Sequence, residues 1–231
     1  MRRGLVAFCA VLTLTSAAAP AVRAGDIPET WDHLVRVKSK QIKAVYLLPG
    51  ADFRPYTKVM LDEPEAALRK NWLRDYNRSS GRSLSRQLTE KDAERGLAQV
   101  TASMKSVFTK AYADGGYTVV TAPGADVLRI RTAVIDLHVN APEVQTAGRS
   151  RSYAPEAGSA TLVLEARDSE TGAILGRAID GKVVGDMGGM MMSRSSVSNR
   201  ADFESVFRSW AKASVKGLNV LKSTAPGAKT A

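Results

Sequence analysis

His33 and His138 are the only side chains in this sequence whose ordinary pKa lies close to neutral pH. Asp136 and His138 are two residues apart in a segment that is predicted to form a strand, so both side chains should project from one face. There they could share a proton or a metal ion, as in an unrecognised hydrolase. The alternative is a half-buried pair satisfied by hydrogen bonds, because two ligands are too few for a zinc site.

Familiar catalytic signatures are absent from the sequence. It contains no Gly-x-Ser-x-Gly, no Gly-x-x-x-x-Gly-Lys-Ser/Thr and no His-Glu-x-x-His. Its single cysteine, Cys9, lies in an N-terminal segment that is predicted to be removed, which excludes thiol catalysis, disulfides and cysteine-bound zinc from the mature protein. The sequence therefore predicts that the protein is not an enzyme and that it has neither catalytic residues nor a cofactor.

Four of the seven methionines are clustered between glycines and serines, at Met187, Met190, Met191 and Met192. Thioether sulfur is a soft ligand that suits Cu(I), and flexible glycines would let three sulfurs converge on one ion. This favours a periplasmic small-ligand or Cu(I) carrier. The alternatives are an adaptable apolar flap that packs on the protein or on a partner, and a loop without regular structure.

A basic segment with interleaved aromatic residues is the third candidate site. Six basic residues fall within 18 positions and are opposed by Asp75 alone. Arginine binds phosphate groups through two parallel hydrogen bonds, so this segment is a candidate anion-binding or partner-binding site. A solvated surface with scattered arginines is the alternative. The basic residues are Arg69, Lys70, Arg74, Arg78, Arg82 and Arg86, and the candidate site comprises Arg69, Trp72, Arg74, Tyr76, Arg78 and Arg82.

Two long amphipathic helices are the clearest elements that could position these residues. The first is predicted over residues 90–114, with Thr89 as its N-cap and two glycines at its end. The second is predicted from about residue 201 to 221, with Ser198 or Asn199 as its cap. Each carries an apolar stripe at three- and four-residue steps, which is typical of a helix that covers a core.

Strand patterns fill the region between the two helices. They are predicted over residues 117–121, 127–139, 160–167 and 173–184, and residues 168–172 form a hairpin turn between the last two. Shorter β-rich runs cover residues 42–48 and 56–61, whereas residues 65–76 fit a helix or a strand equally well. The apolar face switches midway along residues 127–139, which indicates a β-bulge or burial on both faces.

These elements predict one α+β domain over residues 25–222, followed by a flexible tail at 223–231. The sheet should be mostly antiparallel, with about five to six strands and with the two long helices packed on one face.

The first 24 residues are typical of a cleaved signal peptide. Arg2 and Arg3 precede a long uncharged apolar run, and Val22-Arg23-Ala24 suits a signal-peptidase site. A lipoprotein is the competing export product, but bulky Phe8 precedes Cys9 and the apolar run continues beyond it. We therefore expect cleavage after Ala24 and a periplasmic or secreted protein.

The net positive charge of such an exported protein indicates which kinds of partner it could bind. The chain has 33 Lys+Arg and 23 Asp+Glu, a net charge of +10. Removal of residues 1–24 takes away three arginines and no acid, so the net charge falls by three to +7. Export excludes nucleic acid in practice and leaves anionic lipids, lipopolysaccharide, acidic polymers and envelope proteins as partners. After residue 24, no apolar run has the roughly 20 residues of a transmembrane helix.

Several motifs, taken in order, resemble those of a family of secreted bacterial proteins and lipoproteins known as domain of unknown function 3313. The resemblance implies location in the envelope of a Gram-negative bacterium and no established activity, and it supplies no catalytic residue. The sequence lacks the usable lipobox that many members carry. The motifs lie at residues 31–35, 49–53, 56–62, 72–78, 125–129, 168–172 and 207–211.

Together these observations predict an exported envelope protein of unknown activity. Its most economical function is that of a non-catalytic binding or interaction module that contacts an envelope protein or an anionic glycolipid.

Overall fold

The computed structural model describes residues 28–79, 87–140, 152–186 and 188–224. The predicted signal peptide lies outside these ranges, as do residues 225–231 of the predicted tail, whereas Ser223 is the last residue of a helix. In chain order, the elements are β1 (Thr30–Trp31), β2 (Leu34–Val37), β3 (Ala44–Leu47), β4 (Lys58–Leu61), β5 (Glu65–Leu68), α1 (Trp72–Ser79), α2 (Glu90–Asp114), β6 (Thr118–Val120), β7 (Val127–Val139), β8 (Ser152–Ala154), β9 (Gly158–Asp168), β10 (Ile174–Val184), β11 (Met192–Arg194) and α3 (Ser196–Ser223).

Within the described ranges, nine strands form one open sheet in the spatial order β1-β2-β3-β10-β9-β7-β4-β6. The pairs from β1 to β7 are antiparallel, whereas β4 pairs in parallel with both β7 and β6. The ninth strand, β5, follows β4 in the chain and pairs in parallel with the second half of β7, from Ala133 to Leu137. The predicted α+β class and mostly antiparallel sheet are confirmed, but the prediction of about five to six strands is too low.

The strands that were not predicted are short, and the residues in their turns are not those that usually predict a turn. β1 and β2 form a hairpin whose two turn residues, Asp32 and His33, have φ of 50° and 66°. Both values are positive, as in the type I′ turns that usually contain Asn or Gly. The ambiguous residues 65–76 form both alternatives, β5 and then α1, on either side of Asn71 at φ 62°. β8 and β11 form a separate two-stranded sheet.

The long strand β7 contains the predicted irregularity. Its pairing with β9 shifts register between Ile135 and His138, and Asp136 lies there at φ 50°. Ile135 and Asp136 are both exposed, while Leu137 is buried. This β-bulge accounts for the switch of the apolar face.

The two long helices are present, and one boundary differs from the prediction. α2 has the predicted bounds, and Thr89 caps it in a reciprocal capping box with Asp92. α3 begins at Ser196, earlier than predicted, because Ser195 is its cap. The Ser195 Oγ accepts a 3.1 Å hydrogen bond from the Ser198 N–H, so Ser198 is the third residue of the capping box.

Both helices cover the same face of the sheet, as predicted. Phe108 of α2 and Trp210 of α3 are buried in one hydrophobic cluster with Leu128 and Leu162 of the central strands. The opposite face of those strands carries charged residues instead.

Candidate anion-binding surface

The basic segment begins where β5 ends, at the edge of the sheet. The Arg69 N–H donates a 2.9 Å hydrogen bond to the Leu137 carbonyl, which ties the segment to the end of β7. Three residues later, Trp72 is 4% exposed, and its indole N–H donates to the Val139 carbonyl at 3.2 Å. Trp72 therefore fastens α1 to the central strand of the sheet.

The inner side of α1 continues from Trp72 to Tyr76. The two rings stack with their centroids 5.5 Å apart, as expected for residues one helical turn apart. At the next position, the Asn77 amide donates to the Leu88 carbonyl and accepts from the Leu88 N–H, both at 2.9 Å. These contacts hold α1 against the chain that leads into α2.

The basic side chains of the segment point away from this anchor. Arg69, Lys70, Arg74 and Arg78 are all exposed. Arg74 and Arg78 are four residues apart on α1, so they share one side of the helix. Arg74 forms a 3.1 Å ion pair with Asp75, which is also exposed and therefore holds it weakly. Arg82, like Arg86, lies outside the described residues.

Asp136 and His138 lie beside this segment, at the bulge of β7. Burial and the positive charge of Arg69 lower the pKa of His138, which favours the neutral imidazole. Asp136 is exposed, and Glu156 is the acid whose charge acts on His138. Over the described ranges, no group of three or more His, Cys, Asp or Glu side chains is arranged to hold a metal ion.

The methionine cluster projects from the protein surface near the small β8–β11 sheet. Met190, Met191 and Met192 are 64%, 62% and 38% exposed, and Met187 lies outside the described residues. The base of this loop is rigidly held, because the buried Arg194 guanidinium pairs with Asp202 at 2.7 Å and donates to the carbonyl of Gly185.

A charged cluster on the uncovered face of the sheet was not predicted from the sequence. Arg177 of β10 is 9% exposed and lies between the carboxylates of Glu165 and Asp32, with the Trp31 ring 4.5 Å from its guanidinium carbon. Burial acts to raise the pKa of Glu165, but hydrogen bonds from Arg167 and Arg177 outweigh it and lower that pKa. Each charge here has a partner, so the cluster stabilises the sheet and offers no free charge to a ligand.

Two cavities were also not predicted. One, of about 380 Å³, lies between α2, α3 and the end of the sheet nearest α1. The other, of about 320 Å³, lies between the C-terminal end of α3 and the sheet. Both are lined by residues from elements far apart in sequence. Only a tertiary structure brings such residues together.

The motifs behind the family resemblance contact one another in the fold. The Tyr56 hydroxyl donates to Asp168 at 2.8 Å, and this bond joins the motif at 56–62 to the turn at 168–172. The Thr57 hydroxyl donates to Asp126 at 2.8 Å and joins the first of these motifs to the one at 125–129. These bonds join the chain just before β4 to the end of β9 and to the chain just before β7, so they hold the strands together at one end of the sheet and identify no ligand.

The fold and surface define an α+β protein with an open mixed sheet, two long helices on one face and a short basic helix at its edge. Residues 26–214 match the family described as protein of unknown function DUF3313. The chain belongs to that family, which confirms the resemblance seen in its motifs. No curated protein matches the chain. Among the described residues, no helix is long and apolar enough to cross a membrane.

Solved structures of several bacterial proteins are similar to this chain at low identity. One is a PelC dodecamer from Paraburkholderia phytofirmans, with 12% identity, coverage of 73% of this chain and 96% of that chain, and a TM-score of 0.35. Another is a Xanthomonas campestris protein of family DUF330, with 12% identity, coverage of 81% and 91%, and a TM-score of 0.42. A minor lipoprotein from Acinetobacter baumannii has 8% identity, coverage of 70% and 94%, and a TM-score of 0.34. None of these similarities is close enough to assign a site or a partner to this chain.

Proposed function

We propose that this protein is an exported, non-catalytic binding module of the cell envelope that contacts an anionic component through its basic segment. The charged N-terminal residues, the apolar run and the Val22-Arg23-Ala24 site support export with cleavage after Ala24. An exported protein meets lipid headgroups, lipopolysaccharide phosphates, acidic polymers and other envelope proteins.

The anchoring of α1 is the observation that carries this proposal. Because Trp72 is buried and hydrogen-bonded to Val139, α1 has a fixed position on the sheet edge. Arg74 and Arg78 project from it while remaining exposed, and Arg69 precedes it at the same edge. A fixed scaffold with exposed guanidinium groups binds phosphate-bearing surfaces at a lower entropic cost than a disordered basic tail.

A non-catalytic role fits the chemistry of the site. The described part of the segment, residues 69–79, exposes guanidinium groups, which bind anions, and contains no paired nucleophile and base. The imidazole nearest to it, His138, is half-buried, and both burial and Arg69 favour its neutral form.

Vesicle binding tests the proposal. The purified protein is sedimented with vesicles of phosphatidylglycerol and, separately, with vesicles of phosphatidylcholine. We expect binding to the anionic vesicles only, and a decrease as salt is raised because the contact is electrostatic. Charge reversal in an Arg74→Glu/Arg78→Glu variant should weaken binding at least about tenfold, since each basic residue near such a surface contributes about 1 kcal/mol.

A matched variant separates a local contact from the effect of net charge. Lys110→Glu/Lys212→Glu changes the net charge by the same amount on exposed positions of α2 and α3, and it should retain most of the binding. Equal binding by the two double variants, or unchanged binding by Arg74→Glu/Arg78→Glu, would refute the assignment of the basic segment.

A further inference from the structure

The second half of α3 leaves a cavity above the sheet because small residues face one another there. The first half of the helix carries the large aromatic residues Phe203, Phe207 and Trp210, all buried. The second half instead contributes Ala213, Ser214 and Gly217 to the cavity lining. The sheet opposite contributes Ala166, Gly176 and Ala178. Larger side chains such as Leu162 and Leu218 line the rest of the cavity, and between these small residues about 320 Å³ remains open.

The inner walls of this cavity are apolar. Leu128 and Leu162, both fully buried, lie on the sheet side, and the buried residues Phe53 and Leu218 also line the cavity. The polar groups inside are already paired, because the Ser214 hydroxyl donates to the Ala211 carbonyl at 2.8 Å. Burial raises the pKa of the neighbouring Tyr112 to about 12, so it is neutral. An occupant therefore needs an apolar body.

The mouth of the cavity is basic. Lys38 and Lys40 of the β2–β3 loop and Lys216 of α3 line it, and all three side chains belong to exposed residues. In the described part of the chain, none of them forms an ion pair, and no Asp or Glu lines the cavity. Such a mouth complements an anion that stays in water, because burial of a charge in the apolar interior is unfavourable.

The volume restricts the size of the occupant. At about 320 Å³, the cavity lies at the lower end of the range of about 300–1,000 Å³ for small-molecule sites. One short hydrocarbon chain fits such a space, whereas the paired chains of a membrane phospholipid need more room.

We propose that this cavity binds a single-chain anionic amphiphile, with its hydrocarbon chain between α3 and the sheet and its carboxylate or phosphate headgroup among Lys38, Lys40 and Lys216. The site is independent of the basic segment. It lies at the start of β7, near Leu128, whereas the segment is tied to the end of that strand at Leu137 and Val139. Failure of one proposal therefore leaves the other standing.

Displacement of a compact fluorescent anion tests the site in the full chain. The probe is 1-anilinonaphthalene-8-sulfonate, and the competitors are dodecanoate, monododecyl phosphate and dodecyltrimethylammonium, all below their micelle-forming concentrations. We expect displacement by the two anions and much weaker displacement by the cation. The tighter of the two anions identifies the preferred headgroup. A Lys38→Glu/Lys216→Glu variant should bind the anions more weakly and the cation more tightly.

Two matched glycine variants test whether the ligand binds in this cavity. A Cβ at Gly217 or at Gly96 meets no atom within 4 Å, so a side chain can start from either helical position without a clash. Gly217 lines the proposed site, whereas Gly96 lines the other cavity. Gly217→Leu should weaken binding roughly tenfold or more, as expected when the space for about two methylene groups is lost, and Gly96→Leu should have no effect.

Three results would overturn the proposal. They are no displacement of the probe by either anion, equal affinity in Gly217→Leu and Gly96→Leu, and displacement by the cation as strong as by the anions. Circular dichroism and thermal unfolding of both glycine variants establish that they are folded, so a loss of binding confined to Gly217→Leu reports on the cavity.

Discussion

The indole N–H of Trp210 donates a 2.8 Å hydrogen bond to Oδ2 of Asp180, and both residues are buried. The other carboxylate oxygen, Oδ1, accepts a 3.0 Å hydrogen bond from the backbone N–H of Lys43. One buried carboxylate thus connects α3, β10 and the chain that enters β3. This arrangement fixes the helix over the sheet immediately before the small residues that leave the cavity.

Removal of the indole donor should destabilise the protein measurably. Trp210→Phe keeps an aromatic ring but leaves Oδ2 of the buried Asp180 with only the Lys182 ammonium, 3.9 Å away, which costs about 1–3 kcal/mol. Urea denaturation of the variant, of Asp180→Asn and of the double variant gives the coupling between the two side chains. We expect a coupling of about 1 kcal/mol or more. Strictly additive effects would mean that the bond contributes nothing.

Local signals account for the elements that the sequence predicts well. The bounds of α2 follow from its apolar stripe, the capping Thr89 and the glycines at its end, all of which are adjacent in the chain. The partner of Trp210 is 30 residues away. The sequence places Trp210 on the apolar face of a helix, but only strand pairing determines that Asp180 meets it.

A glycine at the start of β9 should be irreplaceable. A Cβ at Gly158 would lie 1.9 Å from the His138 carbonyl oxygen, which is backbone and cannot move aside. Gly158→Ala should therefore force β7 and β9 apart and lower the free energy of unfolding by more than about 2 kcal/mol.

Gly181 provides the control for this substitution within the same sheet. A Cβ there has only the Thr161 hydroxyl nearby, at 3.6 Å, which is an ordinary contact. Gly181→Ala should change stability by less than about 0.5 kcal/mol. Similar midpoints for the two variants in urea denaturation would contradict the close approach of the two strands.

The ionisation of the Tyr56 hydroxyl should make the stability of the protein fall as pH rises in the alkaline range. Burial, and then its 2.8 Å hydrogen bond to Asp168, raise the pKa of Tyr56 to about 12. The unfolded value is about 10. The contribution of the neutral hydroxyl is therefore fully present below about pH 10 and is lost as pH rises toward about 12.

Tyr56→Phe tests this dependence. The variant should be less stable by about 1 kcal/mol at neutral pH, because it loses one hydrogen bond. Between about pH 10 and 12 it should lose less stability than the unsubstituted protein. Tyr112, whose pKa is also raised to about 12 by burial, remains, as do Tyr46 and Tyr117, whose pKa values burial also raises, and these three account for the residual slope. Equal losses in the two proteins would exclude Tyr56 as a contributor.

The basic segment illustrates what sequence can and cannot predict about the candidate site. Its charge is visible as a run of arginines, and their exposure is the ordinary outcome for such residues. The burial of Trp72 depends instead on the Val139 carbonyl, which its indole N–H meets at the end of β7. The end of β7 is set by its pairing with β9, so no local pattern separates the anchoring tryptophan from a binding one.

The pKa of His138 distinguishes a structural imidazole from half of a catalytic pair. Burial, and then the charge of Arg69, lower this pKa below 6.5. Its neutral form therefore stabilises the fold above about pH 6.5, and that stability is lost as pH falls through the lowered pKa. NMR titration of the His138 imidazole protons should show the shift.

Two substitutions then identify the neighbour that controls His138. Arg69→Gln removes a positive charge and should raise the pKa of His138, because a like charge no longer opposes its protonation. Asp136→Asn should leave it nearly unchanged, since the charges that act on His138 are those of Arg69 and Glu156. A clear fall of the pKa in Asp136→Asn would instead show that the carboxylate supports the imidazolium. That result would restore the acid–base pair, and with it the hydrolase alternative to a binding module.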